Sequence, residues 1–450
     1  MLLLKAKLII TMNPREEILK DAYIGIDEES GKIIYVGKDK PEYETIVDLG
    51  DKIILPGFIN AHTHVPMVLL RGLKDDVDLQ TWLFKYIFPA EDLLRAQDIY
   101  YGALQGIAEM IESGTTMFFD MYFYEEEIAR AVKETGIRAI LSRGILDFPE
   151  GRSPETEIRK SVDFLEYLRR EWVQDKELVN RLFFAFGPHA PYTCSKELLV
   201  KIREKACELK SELPYVSVNI HVAETKNEFD GFVSKYRMTP IEYLSSIGFL
   251  DSDVLLIHSV WVSPNDLNII KLRNAKVVHN PSSNLKLGSG IAPVPKMIDN
   301  GILVALGTDG AASNNRLDIL WEARLAALLH KGIKRDPTTM PAKKVLEMIT
   351  IDGAKALRLD RLVGSIEVGK FADLVILDLE KVLQGVPRYD IYSQIIYSLD
   401  LRAIHGVMVN GRWVYREGEF VAIRNLDFVR EKISDIRNNI EENLRDVSLL

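Results

Sequence analysis

The sequence predicts an α/β protein, a (β/α)8 TIM barrel with a small β-sandwich domain built from both chain ends. Three observations support this prediction. The chain has 450 residues, of which 47% are hydrophobic, enough for one large domain and a smaller one. Between about residue 55 and residue 355, short β-branched or aromatic runs alternate with longer stretches of helical periodicity, as in βα units. Both chain ends instead have alternating strands separated by Gly and Asn turns.

Eight runs in the central region have the composition of buried strands. In chain order they are KIILPGFINAH, TTMFFDMYF, IRAILSRGIL, RLFFAFGPHA, YVSVNIHVAE, DVLLIHSV, AKVVHNPSS and ILVALGTDG. This number of strands over about 300 residues fits the size of a (β/α)8 barrel. We therefore expect the polar residues that end these runs to gather at the carboxyl-terminal rim of one barrel.

The segments outside the barrel predict one small β domain and a terminal helix. GKIIYVGKD near the start, and GSIEVGKFADLVILDLE and GVMVNGRWVYREGE near the end, alternate apolar and polar residues. The last segment has apolar residues at helical spacing, namely Leu426, Val429, Ile433, Ile436, Ile440 and Leu444. We expect the β domain to consist of 1–55 and 361–425, the barrel of 56–360, and an amphipathic helix to cover 426–450. This helix would dock on the body or on a neighbouring subunit, and we expect a homo-oligomer.

Composition and charge narrow the class of function. The formal net charge is −9 and basic residues form no long blocks, which argues against nucleic acid as a partner. No apolar stretch reaches the roughly 18 residues that span a bilayer. Lys5 and Lys7 interrupt the N-terminal run MLLLKAKLII, which favours a strand over a signal peptide. Cys194 and Cys207 cannot make a disulfide framework. We expect a cytoplasmic protein that acts on a small molecule, with no membrane partner.

The stretch INAHTHVPMVLLRG places His62 and His64 one residue apart, directly after an apolar run. Side chains at i and i+2 of a strand point to the same side, so this pair can bind one metal ion. Alone such a pair is weak evidence, but later predicted strands end in His221, His258 and Asp309. These groups, converging at a barrel rim, would be costly to desolvate without a shared cation. We therefore predict a metal site, in which His258 is either a ligand or a neighbour of the ligands.

A series of motifs runs in order through nearly the whole chain: LPGFINAHTH, HVAET, IHSV, HNPSSNLKLGSGIAPV, GTDGAASNN and GSIEVGKFADLVILD. In this series the chain resembles the amidohydrolase superfamily of metal-dependent hydrolases and deaminases. The resemblance implies that one divalent metal ion is held by His62, His64, His221 and Asp309, with His258 beside the bound water. Members with two metals use a carbamylated Lys or a Glu after the fourth strand, where FFAFGPHAPYTC offers neither. We expect one Zn²⁺ per chain, with Fe²⁺ or Mn²⁺ as alternatives, because imidazole with one carboxylate suits these ions.

The residues around these ligands predict hydrolytic chemistry. A bound metal lowers the pKa of its water to about 7 and so supplies hydroxide at neutral pH. Glu224 lies three residues after His221, and the resemblance implies that this glutamate protonates a ring nitrogen of the substrate. His258 and Asp309 would orient and deprotonate the water, and collapse of the intermediate would release ammonia. Taken without its neighbours, Glu224 could equally be a surface glutamate.

Other polar residues near the strand ends have two interpretations each. His189 in GPHAPYT either contacts a substrate ring or caps a loop, and we favour substrate contact. Ser313 in GTDGAAS either touches water or substrate or serves a turn. We expect a structural or rim role for His279, since four ligands are already assigned. We expect His330 and His405 to lie away from the rim, as structural or solvent-exposed residues.

The loop after the first barrel strand predicts the substrate. MVLLRGLKDDVDLQTWLFKYIFPAEDL resembles the corresponding stretch of deaminases that act on 5'-methylthioadenosine and S-adenosylhomocysteine. The resemblance implies that Trp82 packs near the ligand and that Glu91 binds the ribose hydroxyls, although Trp82 also fits a core aromatic of a helix. It also implies that Arg143 and Arg152 bind the carboxylate of the homocysteine tail, because a guanidinium group can donate two parallel hydrogen bonds to a carboxylate. Either arginine could instead pair with a nearby acid such as Glu150, or act across a subunit interface.

These observations predict a hydrolase that acts on C–N bonds other than peptide bonds. We expect it to convert S-adenosylhomocysteine and 5'-methylthioadenosine to their inosyl products with release of ammonia. One alternative keeps the metal chemistry but has a free nucleobase or a triazine as substrate, since guanine or cytosine deaminases and chlorohydrolases share the metal motifs. A second alternative is a non-catalytic relative that keeps the barrel as an assembly scaffold. The chain contains all the predicted metal ligands together with Glu224 and His258. This argues against a scaffold, because a scaffold does not need a desolvated cluster of ligands.

Overall fold

The computed structural model describes residues 1–42, 45–147 and 152–446. Within these ranges the strands are β1 (Leu2–Ile10), β2 (Ile18–Asp27), β3 (Lys32–Gly37), β4 (Thr45–Asp48), β5 (Ile53–Pro56), β6 (Phe58–Thr63), β7 (Thr115–Tyr122), β8 (Arg138–Ile145), β9 (Leu182–Pro188), β10 (Ser217–Val222), β11 (Val254–His258), β12 (Lys276–His279), β13 (Val304–Leu306), β14 (Leu374–Leu377), β15 (Ile404–Val409), β16 (Arg412–Arg416) and β17 (Glu419–Phe420).

The α-helices in the same ranges are α1 (Leu79–Thr81), α2 (Phe88–Glu91), α3 (Ala96–Glu112), α4 (Glu125–Thr135), α5 (Pro154–Gln174), α6 (Lys196–Leu209), α7 (Lys226–Tyr236), α8 (Pro240–Ser246), α9 (Pro264–Arg273), α10 (Pro281–Lys286), α11 (Val294–Asp299), α12 (Ala311–Asn314), α13 (Ile319–Lys334), α14 (Ala342–Met348), α15 (Ile351–Ala356), α16 (Ile391–Ser393) and α17 (Leu426–Asp446). Short 3-10 or π-helical turns cover Val65–Leu70, Trp82–Ile87, Lys176–Asn180, Leu379–Lys381, Leu383–Gly385, Gln394–Ser398 and Leu401–Ala403.

Strands β6 to β13 form the predicted barrel. Each pairs in parallel with the next, so the order in the sheet is the order in the chain. The first and last strands meet through hydrogen bonds: the main-chain N–H of Asp309 donates to the carbonyl of His62 over 3.1 Å, and that of Thr308 donates to Oδ1 of Asn60 over 3.0 Å. The predicted (β/α)8 fold class is confirmed, and the carboxyl ends of its strands lie at one rim.

Both faces of the barrel strands are buried. One set of side chains forms a cluster inside the barrel, including Ile59, Met117, Phe119, Ile140, Leu255, Ile257 and Val278. The alternate set packs under the helices, including Phe118, Leu141, Phe184, Val218, Leu256 and Val277. Because neither face meets water, these strands appear in the sequence as nearly continuous apolar runs.

The strands from the two chain ends share one mixed sheet in the described part of the chain. Its order is β17-β16-β15-β14-β5-β1-β2-β3, and β4 pairs in parallel with β1. The N-terminal and C-terminal parts are joined where β14 runs antiparallel to β5. Apolar side chains from both parts form its buried cluster, including Leu4, Ala6, Ile24, Ile54, Leu374 and Ile376. The prediction of a small β domain built from both chain ends is therefore confirmed.

The first predicted strand was wrong in one respect, because KIILPGFINAH forms two strands in different sheets. Ile53–Pro56 lies in the mixed sheet and Phe58–Thr63 in the barrel. Between them, the N–H of Gly57 donates to the carbonyl of Asp373 over 2.8 Å. A Cβ at Gly57 would lie 2.1 Å from Oγ1 of Thr116, so only glycine fits at this crossing. Because both strands are buried, the apolar pattern is continuous across the break, and only the turn-forming pair Pro56-Gly57 marks it in the sequence.

A buried ion pair connects the barrel to the small domain. Nε of Arg138, at the start of β8, lies 2.7 Å from Oδ2 of Asp373, and Nη2 lies 2.8 Å from Oδ1. The two side chains are 0% and 2% exposed. The carboxylate also accepts a hydrogen bond from the main-chain N–H of Asn410 over 2.8 Å. The bidentate geometry offsets part of the cost of desolvating the pair, while Nη1 of Arg138 is buried without a hydrogen-bond partner among the described residues.

The C-terminal helix α17 packs against α3 and against the turn that follows the first barrel strand. The ring of Phe428 lies 6.1 Å from that of Tyr101, and Ile440 borders a crevice with Leu69 and Leu70. The prediction for this helix extended over 447–450, which lie outside the described residues. No helix in the described ranges is both long and apolar enough to cross a membrane.

Candidate active site

The candidate metal centre consists of two histidines of β6, one of β10 and an aspartate just beyond β13. Nε2 of His221 lies 3.2 Å from Nε2 of His62 and 3.3 Å from Nε2 of His64. Oδ1 of Asp309 lies 3.1 Å from Nε2 of His64 and 3.6 Å from Nε2 of His62. Bonds of about 2.0–2.1 Å to a central ion give tetrahedral ligand separations of about 3.3 Å. The set therefore fits one divalent metal ion.

The outer ring nitrogens of two of these histidines are held by main-chain carbonyls. Nδ1 of His64 lies 2.6 Å from the carbonyl oxygen of Met121, and Nδ1 of His221 lies 2.7 Å from that of His189. Each Nδ1 must carry the hydrogen to make this bond, so each Nε2 of a neutral ring presents its lone pair to the centre. The tautomer that a metal ligand needs is thus set by the main chain.

Electrostatics also suit a cation at this point. Burial lowers the pKa of His62 to about 4, and burial together with the neighbouring histidines lowers the pKa of His221. Burial also opposes the charged form of His64, but the hydrogen bond to Asp309 raises its pKa to about 9. Against burial, the hydrogen bonds from the two histidines hold the pKa of Asp309 well below its ordinary value. At neutral pH this leaves His62 and His221 neutral, His64 protonated and Asp309 ionised, and a metal ion bound here would take the place of the His64 proton.

The backbone beside the metal ligands and the Glu224–His258 pair adopts positive φ at four non-glycine residues. The φ angles are 52° at Ala223, 71° at His258, 46° at Ser259 and 59° at Asp309. Left-handed conformations at such residues cost free energy and persist only where the surrounding structure enforces them. All four lie at carboxyl ends of barrel strands, where the turns direct polar side chains to the centre.

Glu224 and His258 lie together beside the metal centre. Oε2 of Glu224 lies 3.6 Å from Nε2 of His258, and Oε1 accepts a hydrogen bond from Oγ of Ser289 over 3.1 Å. Nδ1 of His258 lies 2.7 Å from Oδ1 of Asn284, which fixes the hydrogen on Nδ1 and leaves Nε2 as a base. Burial raises the pKa of Glu224. The pair can therefore offer one proton donor and one proton acceptor.

The second oxygen of Asp309 is held by two hydroxyl groups. Oγ of Ser283 donates to Oδ2 of Asp309 over 2.6 Å, and Oγ of Ser313 donates to the same oxygen over 3.0 Å. Oδ1 is thereby left facing His62 and His64. Ser313 also lines the pocket, and its Oγ lies 3.2 Å from the carbonyl oxygen of Gly310, so orienting the aspartate is a role in addition to its two interpretations.

Glu228 fixes the loop that follows β10. Its Oε1 accepts the main-chain N–H of Ala223 and its Oε2 accepts that of Glu224, both over 2.9 Å. Burial raises the pKa of Glu228 to about 8. This carboxyl group therefore positions the main chain of Glu224 without facing the metal centre.

A largely apolar pocket opens above the metal centre, as in most small-molecule sites. Its apolar walls are Met67, Leu79, Trp82, Leu83, Ile87, Phe88, Met121, Phe123, Leu146 and Leu287. Its polar lining includes Glu91, Glu224, His258 and His189. Burial raises the pKa of Glu91 to about 7. Burial lowers the pKa of His189 to about 4, and its Nδ1 lies 2.8 Å from Oγ1 of Thr193.

The structure brings together most of the predicted substrate-binding residues but not the two arginines, which do not line this pocket. Ser142 directs its hydroxyl into the barrel, where Nδ2 of Asn219 donates to it over 3.1 Å. Arg143, the next residue of β8, therefore points outward, 3.6 Å from Glu125 and 3.9 Å from Glu157. The alternative partner Glu150 lies outside the described residues.

Arg152 lies in the short stretch before α5. Its side chain is exposed and makes no hydrogen bond or ion pair to any other described residue. A surface arginine of this kind is free to meet a ligand or another chain.

The remaining histidines lie away from the metal centre. His279 ends β12 and is buried, and its ring lies 5.4 Å from that of His330 on α13. Burial lowers the pKa of both rings, so both are neutral. His405 lies in β15 of the small domain and is also buried.

Sequence reasoning missed several residues that hold the catalytic groups. Ser283, Asn284 and Ser289 all lie in the motif HNPSSNLKLGSG, where clustered small polar residues directly after a buried strand were a usable signal. Glu228 gave no such signal, because a glutamate on a predicted helix is usually solvent-exposed.

Comparisons with known proteins agree with this geometry. The amidohydrolase family model matches residues 53–414. A protein of Thermococcus sibiricus named 5-methylthioadenosine/S-adenosylhomocysteine deaminase is 44% identical over 92% of this chain and 93% of its own. A protein of Methanosarcina acetivorans named 5'-deoxyadenosine deaminase is 41% identical over 91% of this chain and 92% of its own.

Solved structures are similar over almost the full length. An adenosine deaminase from Xanthomonas campestris, with bound zinc, has a TM-score of 0.89 and 31% identity, covering 98% of both chains. Atrazine chlorohydrolase from Arthrobacter aurescens has a TM-score of 0.86 at 23% identity, covering 97% of this chain and 100% of its own, and so shows a shared fold. On the family match and the identity to these relatives, the chain belongs to the amidohydrolase family.

Proposed function

We propose that this protein is a metal-dependent hydrolytic deaminase of adenosine-type nucleosides. Its proposed substrates are S-adenosylhomocysteine and 5'-methylthioadenosine, which it converts to the inosyl products with release of ammonia. The observation that carries this proposal is the position of Glu224 beside His258 and the metal centre, inside a largely apolar pocket. The names of the Thermococcus sibiricus and Methanosarcina acetivorans relatives support the substrate class.

We propose that one Zn²⁺ per chain is held by His62, His64, His221 and Asp309. The donor set supports this choice, because imidazole nitrogens with one carboxylate at tetrahedral spacing suit zinc. The zinc in the Xanthomonas campestris relative is consistent with it. When bound, the metal lowers the pKa of a water molecule to about 7 and makes it a nucleophile at neutral pH.

The proposed mechanism divides the proton transfers between three side chains. The buried carboxyl group of Glu224, whose pKa is raised, donates a proton to the ring nitrogen beside the attacked carbon. The attacking water passes its proton to Nε2 of His258 or to the carboxylate of Asp309, which are held by Asn284 and by the two serines. That proton is then passed to the exocyclic amino group and the C–N bond breaks, while the hydroxyl proton of the added water returns to the carboxylate of Glu224. One water is consumed and one ammonia released.

The polar lining of the pocket supports the proposal that the substrate is a nucleoside and not a free base. Glu91 can accept hydrogen bonds from both hydroxyls of a ribose, an interaction that a free base cannot make. We propose that Trp82 packs against the ligand and that His189, as a neutral imidazole, hydrogen-bonds its purine ring. A site built around such polar contacts discriminates strongly against ligands that leave them unpaired.

The tail of S-adenosylhomocysteine ends in a carboxylate, which calls for a guanidinium partner. We propose Arg152 for this role, because it is exposed and makes no hydrogen bond or ion pair to another described residue. Arg143 is the less favoured partner within one chain, since Glu125 and Glu157 already flank it outside the barrel.

A panel assay of ammonia release tests the proposal. The zinc-loaded protein would be assayed with S-adenosylhomocysteine, 5'-methylthioadenosine, 5'-deoxyadenosine, adenosine, guanine, cytosine and an aminated triazine. We expect the highest kcat/KM on nucleosides with a thioether at the 5' position. Preference for guanine, cytosine or the triazine would replace the proposed substrate class, and no turnover of any compound would favour the scaffold alternative.

A further inference from the structure

Glu322 is a buried glutamate on the outer helix layer, in the first turn of α13. Its side chain is 0% exposed. Oε2 accepts a hydrogen bond from the main-chain N–H of Ser282 over 3.0 Å, and Oε1 accepts one from Nδ2 of Asn314 over 3.0 Å. One carboxyl group thus joins the segment after β12 to the segment after β13.

Both segments hold groups of the metal centre. Next to Ser282 are Ser283, which donates to Oδ2 of Asp309 over 2.6 Å, and Asn284, whose Oδ1 lies 2.7 Å from Nδ1 of His258. A displacement of this segment would therefore move two groups of the site at once.

The other segment is held in the same way. Nδ2 of Asn314 donates to Oε1 of Glu322 and also to the carbonyl of Thr308 over 2.6 Å. Thr308 directly precedes Asp309, and Ser313, next to Asn314, donates to the Asp309 carboxylate over 3.0 Å. The position of the aspartate therefore depends on both segments.

Burying a carboxyl group this deeply lowers the free energy of unfolding unless its polar atoms are paired. Its described partners are neutral N–H groups and not a cation, and burial raises the pKa of Glu322 to about 7. A purely structural need at the packed interface of α13 would be met by an apolar side chain. The two hydrogen bonds to site-bearing segments supply a reason for a polar one.

We propose that Glu322 is a positioning residue that sets the metal ligand Asp309 and the base His258 relative to each other. It acts through the segments after β12 and β13 and touches neither group itself. This inference rests on the proposed metal site but not on which nucleoside is the substrate.

Glu322→Gln is the direct test, because glutamine keeps the shape but has one acceptor oxygen. Its NH₂ group must face either the N–H of Ser282 or the NH₂ of Asn314, so one of the two contacts is lost. We expect the zinc affinity, measured by competition with a chelator, to fall by about 10 to 100-fold. We expect kcat to fall by a similar factor while KM stays within about twofold, since the pocket walls are untouched. Asn314→Ala should also lower the zinc affinity and kcat. If Glu322→Gln does not fold, the same two measurements on Asn314→Ala test the inference.

Asp266→Asn is a matched control. Asp266 is also 0% exposed. It also accepts hydrogen bonds, from the main-chain N–H of Ser263 over 2.7 Å and from the hydroxyl of Thr239 over 2.5 Å, and neither partner belongs to the metal centre. We expect a lower melting temperature with unchanged zinc affinity and kcat. Equal zinc affinity and kcat in wild type and Glu322→Gln would overturn the inference and leave the proposed function intact. A wild type that binds no divalent metal would overturn both.

Discussion

Nε2 of His221 lies 3.2 Å from Nε2 of His62, although the two residues are 159 positions apart in the chain. Because His221 uses its Nδ1 hydrogen for the carbonyl of His189, the lone pair of its Nε2 is directed at the neighbouring ring. Two nitrogen lone pairs face each other stably at this distance only with a proton or a metal ion between them. The contact therefore leads to a first prediction about metal content.

The purified protein should bind about one divalent metal ion per chain, and His221→Ala should lose most of it. Four donors leave no spare ligand for a tetrahedral ion. Elemental analysis after gel filtration measures the ratio. His405→Ala, a change to a buried histidine of the small domain, should keep the metal. Two tightly held ions per chain would contradict a mononuclear centre.

Glu224→Gln should reduce kcat by several orders of magnitude and leave the metal in place. Glutamine has nearly the same shape and can still accept the hydrogen bond from Ser289, but it cannot transfer a proton. Steady-state kinetics together with elemental analysis of the same sample checks both parts. Near-normal turnover in the metal-loaded variant would assign the proton donor to another residue.

Arg152→Ala should lower kcat/KM for S-adenosylhomocysteine by roughly 10 to 100-fold, the loss expected for a charged contact. It should change kcat/KM for 5'-methylthioadenosine much less, because that substrate has no carboxylate. Arg143→Ala provides the comparison, since it removes the ion-pair partner of the buried Glu125, whereas Glu157 keeps its ion pair with Lys160. We expect it to lower the melting temperature and to affect both substrates equally. If Arg143→Ala lowered kcat/KM for S-adenosylhomocysteine selectively and Arg152→Ala affected both substrates equally, Arg143 would be the residue that binds the tail.

Arg138→Met should lower the free energy of unfolding by about 3 to 5 kcal/mol, because it leaves the Asp373 carboxylate buried and unpaired. Chemical denaturation measures the loss. Arg412→Ala is the control, since its ion pair with Glu177 is largely exposed and should contribute at most about 1 kcal/mol. Similar losses for both variants would show that the interface between barrel and small domain does not depend on the buried pair.

Glu228 should make the stability of the protein pH-dependent. Burial raises its pKa from 4.5 to about 8 in the folded state. A carboxyl group whose pKa is raised stabilises the fold while it is protonated, and this contribution is lost as pH rises from about 5 to 8, by about 1.4 kcal/mol per pH unit. Glu228→Gln cannot ionise, so the stability of wild type relative to this variant should fall over that range. Parallel curves of unfolding free energy against pH would refute the raised pKa.

Much of the candidate site followed from the sequence because it depends on strand ends. In a parallel barrel, a polar residue that ends an apolar run must lie at the carboxyl-terminal rim. This rule alone places His62, His64, His221 and Asp309 together, with His258 beside them. The fold class followed in the same way, from the alternation of short apolar runs with helical periodicity.

Local sequence patterns did not predict two features that depend on a single residue: the point where the chain passes from one sheet to the other, and the face of a strand on which a side chain lies. The apolar composition of KIILPGFINAH does not show the break at Gly57, since the strands on either side are equally apolar, and only the turn-forming pair Pro56-Gly57 marks it. Arg143 follows Ser142 in β8, and a shift of one residue moves a strand side chain to the opposite face. The strand was predicted correctly, but only its register showed that the arginine points to Glu125 and away from the pocket.

The sequence by itself determined which chemical groups meet at the rim, because each such group is fixed to the end of its own strand. Only the tertiary structure decided which groups orient them. Asn284 holds His258, and Glu322 joins the segments around Asp309. Asp373 pairs with Arg138 across 235 positions of the chain. These partners come from different elements, so their contacts depend on the packing of helices on the barrel, which no local pattern of residues encodes.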